Sequence, residues 1–310
     1  MRRLLSPAAK PSSARAATRL RKFAIGIYYG ISPFCFEEPG NISNPVLTGE
    51  QVSDVSAAFV ADPFMLRVDG TWYMFFEVMN RHADKGEIGL ALSRDGMRWS
   101  YQQVVLAEPF HLSYPYVFDW MDDYWMIPES TAAGAIRLYK AVGFPRAWSF
   151  ATTLVSGPRF ADSSIVRYEG RWWLFTETDQ TMHFDTARLY YADDLTGPWR
   201  EHPRSPIVQG NPRAARPGGR VLVVDGRVIR YTQDCWPGYG MRVRAAEVIE
   251  LTTTTYRDRP ASEADVLTGS GTGWNRDGMH HIDPHLLEDG RWIACVDGWA
   301  WANPDVIGDR

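Results

Sequence analysis

The chain has 310 residues, 45% of them hydrophobic, with 33 Lys+Arg against 37 Asp+Glu and a formal net charge of −4. That balance lacks the basic stripe of a nucleic-acid binder, and no apolar run approaches the roughly 20 residues of a membrane helix, so neither class is expected. Three cysteines, Cys35, Cys235 and Cys295, follow no metal-ligand spacing and make no even disulfide set, while 13 Trp, 14 Tyr and 14 Phe supply area for a buried core.

Residues 1–22 carry Arg2, Arg3, Lys10, Arg15, Arg19, Arg21 and Lys22 and no acid. They also lack the apolar stretch, roughly 7–15 residues long, of a secretory signal. They read as a disordered basic arm, with a transit-like or mis-started N-terminus as the alternative, and a cytoplasmic location is expected. Residues 23–310 are expected to form one domain.

Within that domain five segments share one layout, a short strand, a tight turn and a second strand: ADPFMLRVDGTWYMFFE (61–77), SYPYVFDWMDDYWMIPE (113–129), ADSSIVRYEGRWWLFTE (161–177), PGGRVLVVDGRVIRYTQ (217–233) and HIDPHLLEDGRWIACVD (281–297). Asp-Gly or Glu-Gly marks the turn in four, and Asp122-Asp123 in the second. Such dipeptides between alternating apolar runs signal hairpins, because both central residues of a type I′ turn need φ > 0. Third strands follow at IGLALS, AIRLYKA and ARLYYA, and fourth strands open on Trp99, Trp148 and Trp199.

A repeat of about fifty residues, each with four antiparallel strands, predicts the blades of an all-β, five-bladed β-propeller. A β-sandwich is the rival. The last unit ends after two strands, so its outer strands are expected from FAIGIYYG (23–30) and NPVLTG (44–49), which would close the ring and hide its sheet edges.

Counting outward from the turns places Asp62 opposite Glu77 and Asp162 opposite Glu177 at the start of inner strands, with Glu129 and Asp297 at the matching offset in two other units. Like charges face to face repel, and half-buried they titrate together, as an acid/base pair for sugar chemistry would. The alternative is ordinary Asp-Pro turn chemistry with solvated acids.

His111 and Tyr114 open the second unit, and Arg216, Arg220, Arg230, Gln233 and Asp234 crowd the fourth, where Gly218 is expected opposite Gln233. Arginine forks suit a carboxylate or phosphate on the substrate, unless they pair with neighbouring acids. In the run 280–285, alternation puts His281, Asp283 and His285 on one strand face, as substrate-binding groups or, for His281, a metal candidate. Trp236, Tyr239, Trp274 and Trp299 are candidates for stacking on sugar faces.

These units resemble the arabinanase/β-xylosidase superfamily of glycoside hydrolases, family 43 and relatives. A closer resemblance, in FVADPF, YMFFE, KGEIGLALSRDG, FHLSYPYVF, YWMIPES, IRLYKA, FPRAW, ARPGGR and IRYTQDC, runs to the N-terminal propeller region of glucosamine inositolphosphorylceramide transferase-like proteins. The hydrolase resemblance implies Asp62 as general base, Asp162 as the carboxylate that tunes it, and a channel histidine near His281 able to hold a structural calcium. It also implies a fourth-blade glutamate acid, which this sequence replaces with Ala215-Arg216-Pro217-Gly218-Gly219-Arg220. Glu177, Glu129 or Asp234 is left as the acid.

The expectation is therefore a carbohydrate-active enzyme acting by channel carboxylates on an anionic glycoside, with no required cofactor and a carbohydrate or glycolipid as its partner. The alternatives are a non-catalytic glycan-binding module serving a partner transferase, or a propeller turned to other acid/base chemistry on a small metabolite.

Overall fold

A computed structural model describes residues 20–302. The arm expected over residues 1–22 lies outside them except for its last three residues, of which Arg21 and Lys22 already belong to the first strand. In chain order come β1 (Arg21–Ser32) and β2 (Cys35–Glu37). Blade 1 is β3 (Ala57–Val68), β4 (Thr71–Asn80), β5 (Lys85–Ser93) and β6 (Ser100–Leu106). Blade 2 is β7 (Ser113–Trp120), β8 (Asp123–Glu129), β9 (Ala135–Gly143) and β10 (Ala147–Ser156). Blade 3 is β11 (Ala161–Tyr168), β12 (Arg171–Glu177), β13 (Ala187–Ala192) and β14 (Arg200–Glu201). Blade 4 is β15 (Leu222–Val224), β16 (Arg227–Asp234), β17 (Arg242–Leu251) and β18 (Tyr256–Pro260), with β19 (Leu267–Thr268) beside β17. Blade 5 joins β20 (Gly278–Leu286) and β21 (Trp292–Trp301) to β1 and β2.

The five-bladed propeller is thus closed as expected by N-terminal chain, β1 pairing along β21 from Arg21↔Trp301 to Gly30↔Trp292. The outermost strand differs from the expectation. A turn after Ser32 folds β2 straight back on β1, with Ser32 opposite Cys35, so the edge is taken before residues 44–49 arrive. Those residues make a single bridge, Ile25↔Leu47, and bury Leu47 under β1. No helix among the described residues is long and apolar enough to cross a membrane.

Blades stack through their alternate apolar residues. Phe75 of blade 1 meets Trp148 of blade 2 edge-on at 5.4 Å, and Trp120 of blade 2 meets Trp172 of blade 3 at 5.1 Å. Each fully buried side chain of this kind stabilises the ring by about 1.5–3 kcal/mol. The tryptophans that open fourth strands also close their own loops, Trp99 and Trp148 donating to the carbonyls of Gly96 and Pro145, both at 3.0 Å.

Three hairpins have the expected turn, with φ of 47° and 74° at Asp69-Gly70, 49° and 79° at Glu169-Gly170, and 50° and 74° at Asp225-Gly226. In blade 2 the turn is Met121-Asp122, one residue earlier than expected, because Asp123 pairs with Trp120. In blade 5 a five-residue connection, 287–291, carries Asp289-Gly290, because Leu286 pairs with Trp292.

The register near the channel corrects the pairing expected there. Counting from the turn holds as far as Phe64↔Phe75, but the next pair is Ala61↔Glu77, so β3 carries one extra residue, and Asp62 sits in a bulge with φ 52°. The same bulge recurs in β7, where Ser113 faces Glu129 and Tyr114 has φ 46°, and in β11, where Ala161 faces Glu177 and Asp162 has φ 51°. A fourth lies in β20 between Gly278 and His281. In blade 4 Pro217 bridges Thr232 and Gln233 donates to the Arg216 carbonyl, so Gly218 does not face Gln233. Gly219 cannot be another residue: at φ 144° its missing Cβ would lie 1.7 Å from the Ile282 carbonyl oxygen of blade 5.

Candidate functional site

An αL bulge re-aims a side chain that a regular strand would point across at its partner. Here it sends Asp62, Tyr114 and Asp162 toward the ring's axis, each meeting a different neighbour. Aspartate tolerates φ > 0; a tyrosine there is strained and has to be held by its surroundings. Tyr114 is held: it is fully buried, its ring stands edge-on to Phe64 and to His281, and its hydroxyl lies 2.8 Å from Ser164 Oγ and 3.0 Å from the Gly219 carbonyl. Expected as a substrate-binding residue, it is instead buried among contacts from all four other blades.

Asp62 faces blade 5. Its backbone N–H donates to Asp297 Oδ2 at 2.9 Å, its Oδ1 lies 3.7 Å from His280 Nε2 and 3.9 Å from His281 Nδ1, and that oxygen has no hydrogen-bond partner. Burial pushes the Asp62 carboxyl well above the usual carboxylate range, although His280 opposes the shift. His280 Nδ1 is 2.6 Å from Asp297 Oδ1. Burial works against a charge on His280, but Asp297 outweighs it and raises its pKa, while burial of Asp297 is outweighed by His280, which holds it low.

Neither His280 nor Asp297 stood among the expected site residues. Alternation aims 281, 283 and 285 together and 280 away, and only the bulge in β20 turns His280 inward; the one hint was Asp297 at the offset shared with Glu77 and Glu129.

Asp162 faces blade 4. Its Oδ2 accepts from Arg216 Nε at 2.5 Å and from Gln233 Nε2 at 2.6 Å, and its N–H donates to Glu129 Oε2 at 3.2 Å. Arg216 also lies 3.5 Å from Glu129 Oε2 and is flanked by the rings of Tyr239 at 5.0 Å and Phe184 at 5.3 Å. Burial raises the Asp162 pKa to about 6, with Arg216 limiting the rise. Glu77, also raised by burial and by Asp62, lies 3.5 Å from His111 Nε2, which is half-exposed at the mouth. Glu177 is fully buried, pairs with Arg159 at 3.3 Å and accepts from the Asp179 N–H.

The structure therefore brings together Asp62, Glu77, Glu129, Asp162, Arg216, Gln233, His281 and Tyr239, with His111 at the rim. It does not bring Arg220, Arg230, Asp234 or Asp283 to them as free groups. Arg220 is locked on Asp283 and on the carbonyls of Met65 and Val117. Asp283 also accepts from His285 and the Met65 N–H. Arg230 is buried in blade 4 against Asp258, Tyr256 and the Ala214 carbonyl. Asp234 is ringed by Arg213, Arg242 and Arg244. The arginines expected to bind an anionic substrate are thus neutralised within the fold, because buried guanidinium ions need carboxylate partners.

Of the stacking candidates, Trp299 is buried beneath Arg21, and Trp274 packs against the strand glycines Gly26 and Gly298; Trp236 is exposed and Tyr239 part-exposed.

Asp62, His280 and Asp297 hold one donor atom each within 4.8 Å of one another. Both Asp297 oxygens already accept hydrogen bonds, so the trio is a histidine–carboxylate pair facing a free carboxyl. The calcium expected at His281 finds a free Nδ1 and one carboxylate oxygen there, since Nε2 is held by the Pro63 carbonyl. A calcium takes 6–8 oxygens, so the rest of its shell would come from water or ligand. Two surface clefts, of 460 and 670 Å3, lie about β5, β6 and the 41–51 segment and contain none of the channel carboxylates.

Comparison with known proteins follows the same lines. Residues 20–299 match the family described as glucosamine inositolphosphorylceramide transferase 1, N-terminal. A protein of that name from Oryza sativa subsp. japonica is 35% identical over 297 residues, covering 89% of this chain and 40% of the relative. The chain thus spans about two fifths of that curated relative's length. Among solved structures, Zg3597, a family 117 glycoside hydrolase from Zobellia galactanivorans, has a TM-score of 0.55 at 14% identity, covering 94% of this chain and 98% of its own. The β-1,2-mannobiose phosphorylase from Listeria innocua has a TM-score of 0.58 at 12% identity, covering 88% and 96%. At such identities these two structures speak for the fold.

Proposed function

The chain belongs to the glucosamine inositolphosphorylceramide transferase 1 N-terminal family, and from that premise we propose that its channel mouth acts on a glycan by acid/base chemistry at a glycosidic bond. The observation that carries this is Asp62: a buried carboxyl in a left-handed bulge, with one bare oxygen between two imidazoles and a second buried carboxyl, Asp162, held on the neighbouring side. Positions that combine burial, an unsatisfied polar atom and a displaced pKa concentrate at functional sites.

The direction of the shift changes the role implied by the resemblance. A carboxyl raised well above its usual range holds its proton to higher pH than an ordinary carboxylate, which suits Asp62 to donate a proton to a leaving oxygen rather than to accept one. Asp162, braced by Arg216 and Gln233, supplies positioned negative charge, and Glu129 is the less buried carboxylate beside it. His111 and Tyr239 flank the entrance.

A second reading is favoured by the pairing of Asp162 with Arg216 and by the relatives being transferases more than twice this length: a module that binds a glycan for a partner transferase. Incubating the purified chain with amino, neutral and acidic glycosides, followed by NMR, separates the two. Turnover that falls at least 100-fold in Asp62→Asn supports the catalytic reading. Binding without turnover in the wild type, unchanged in Asp62→Asn, overturns it in favour of the module.

A further inference from the structure

The groups that could do chemistry in the channel are sealed. Asp62, Glu77, Asp162, Arg216 and His280 each expose between 1% and 8% of their surface. An acid has to come within hydrogen-bond reach of the oxygen it protonates, so a sugar meets Asp62 only if the cover moves. Two connections lie over these groups, residues 178–186 between β12 and β13 and residues 235–241 between β16 and β17. Each contributes one ring. Phe184 and Tyr239 meet at 5.5 Å and flank Arg216 on the Asp162 side, and Tyr239 also stands edge-on to His280 at 5.2 Å on the Asp62 side. Both rings are part-exposed where Arg216 and His280 beneath them are buried, so they form the outer layer.

The two rings are held from opposite sides. Asp179, itself buried, accepts from the Thr181 N–H at 2.8 Å, the Thr181 hydroxyl at 2.5 Å, the His183 N–H and the Phe184 N–H at 2.9 Å. That fan of donors keeps Met182 and Phe184 at φ 63° and 58°, which side chains of their size adopt only under constraint. On the other side Arg21 donates to the Tyr239 carbonyl at 3.0 Å, with its guanidinium 4.4 Å from the Trp299 ring, and Trp299 Nε1 donates to the Gly240 carbonyl at 2.7 Å. The loops meet through the one ring contact, and no hydrogen bond joins them among the described residues. Such a seam parts without cost in hydrogen bonds. Tyr239 stands between Gly238 and Gly240, where the backbone is free to turn.

We propose that Phe184 and Tyr239 form a gate over the channel carboxylates, that Asp179 and Arg21 are its two latches, and that a ligand reaches Asp62 when Tyr239 lifts. Loops that close on a site in this way exclude water from it and commit what has entered. Arg21 and Asp179 are positioning residues that act through the rings. Arg21 also ties entry to the closing of the propeller, since it is the first residue of β1. The gate concerns access alone and holds whether the channel cleaves a glycan or only binds one.

The cysteines report on the gate without any ligand. Cys35 is exposed, Cys235 lies under the gate loop with its thiol accepting from the Gly240 N–H, and Cys295 is in the core. Burial pushes the Cys235 thiol up to about 11, so it reacts slowly until the loop lifts. Iodoacetamide labelling of the full chain, read by peptide mass spectrometry, should modify Cys35 first, Cys235 slowly and Cys295 only on global unfolding. Arg21→Ala should raise the Cys235 rate about tenfold or more, and Arg21→Lys, which keeps a donor, should return most of the protection. Asp179→Asn should raise it about threefold or more and serves if the first variant misfolds. Modification of His280 by diethyl pyrocarbonate should rise in step, with half-exposed His111 as the reference. Cys235 and His280 rates that stay at the wild-type level in both latch variants overturn the proposal, as does a wild-type His280 that reacts as fast as His111. Acceleration of Cys295 alongside Cys235 in both variants overturns it as well, by assigning the change to unfolding of the ring. Failure of the gate leaves the glycan reading standing; a working gate with neither turnover nor binding of any glycoside removes that reading and leaves the gate.

Discussion

Asp62 and Asp162 occupy one position in two blades. They share the bulge, a φ within a degree of one another and near-complete burial. Their surroundings differ because they meet neighbours on opposite sides, Asp62 the preceding blade 5 and Asp162 the following blade 4. Asp162 meets Arg216 and Gln233, which brace its Oδ2 and leave Oδ1 bare; Asp62 also keeps a bare Oδ1 but meets a histidine already committed to Asp297 instead of a brace. One backbone device therefore makes one structural acid and one chemically available acid, and the choice is made by the neighbouring blade.

The sharpest way to break this contrast is to remove the brace. Arg216→Gln should strand Asp162 and Glu129 and cost about 3–5 kcal/mol, the usual penalty for breaking a buried ion pair from one side, read by urea denaturation. The corresponding change on the other side, Asp62→Asn, should leave stability nearly unchanged or slightly improved, because it removes a buried ionisable group whose Oδ1 accepts no hydrogen bond and meets only His280 and His281, at 3.7 and 3.9 Å. It should nonetheless reduce turnover of a glycoside at least 100-fold, about 2.7 kcal/mol of barrier. Loss of stability in Asp62→Asn comparable to Arg216→Gln would show the two positions to be alike.

The pH dependence separates them further. Asp162 has a folded pKa of about 6 against an ordinary 3.8, so the folded state holds the extra proton between those values. Its contribution to stability is present in full below about pH 4 and is lost as pH rises through about 6. Melting temperatures measured across that window should therefore decline more steeply in the wild type than in Asp162→Asn, and parallel curves would refute the assignment.

The smallest effect is expected at the third bulge. Tyr114→Phe keeps the ring and loses the hydroxyl that serves Ser164 and Gly219, costing about 1–3 kcal/mol in stability. Substrate affinity should not move, since the ring contacts no open surface; a selective loss of binding would return Tyr114 to the site.

Much of the architecture was legible in the residues. Asp69-Gly70, Glu169-Gly170 and Asp225-Gly226 announce their turns because a type I′ turn is a local event that few residues satisfy, and five such units imply blades. Asp62 and Asp162 stand out in the sequence for the same reason: they recur at one offset. Their partners were misread, since a single extra residue in β3 and β11 shifts the pairing, and nothing in the alternation marks it. His280 was missed on that account, and Arg220 and Arg230 were overvalued because a sequence shows charges and not which charge each one meets.

The division follows the range of the interactions. Turn type, strand alternation and the tryptophans that open fourth strands depend on neighbours a few residues away, so the sequence by itself determined a ring of five blades with acids at the inner-strand starts. Which acid is neutralised depends on contacts between Asp162 and Arg216, 54 residues apart, and between Asp62 and Asp297, 235 apart. Those exist only once β1 has closed the ring on β21 and low-dielectric burial has forced every guanidinium inside to take the nearest carboxylate.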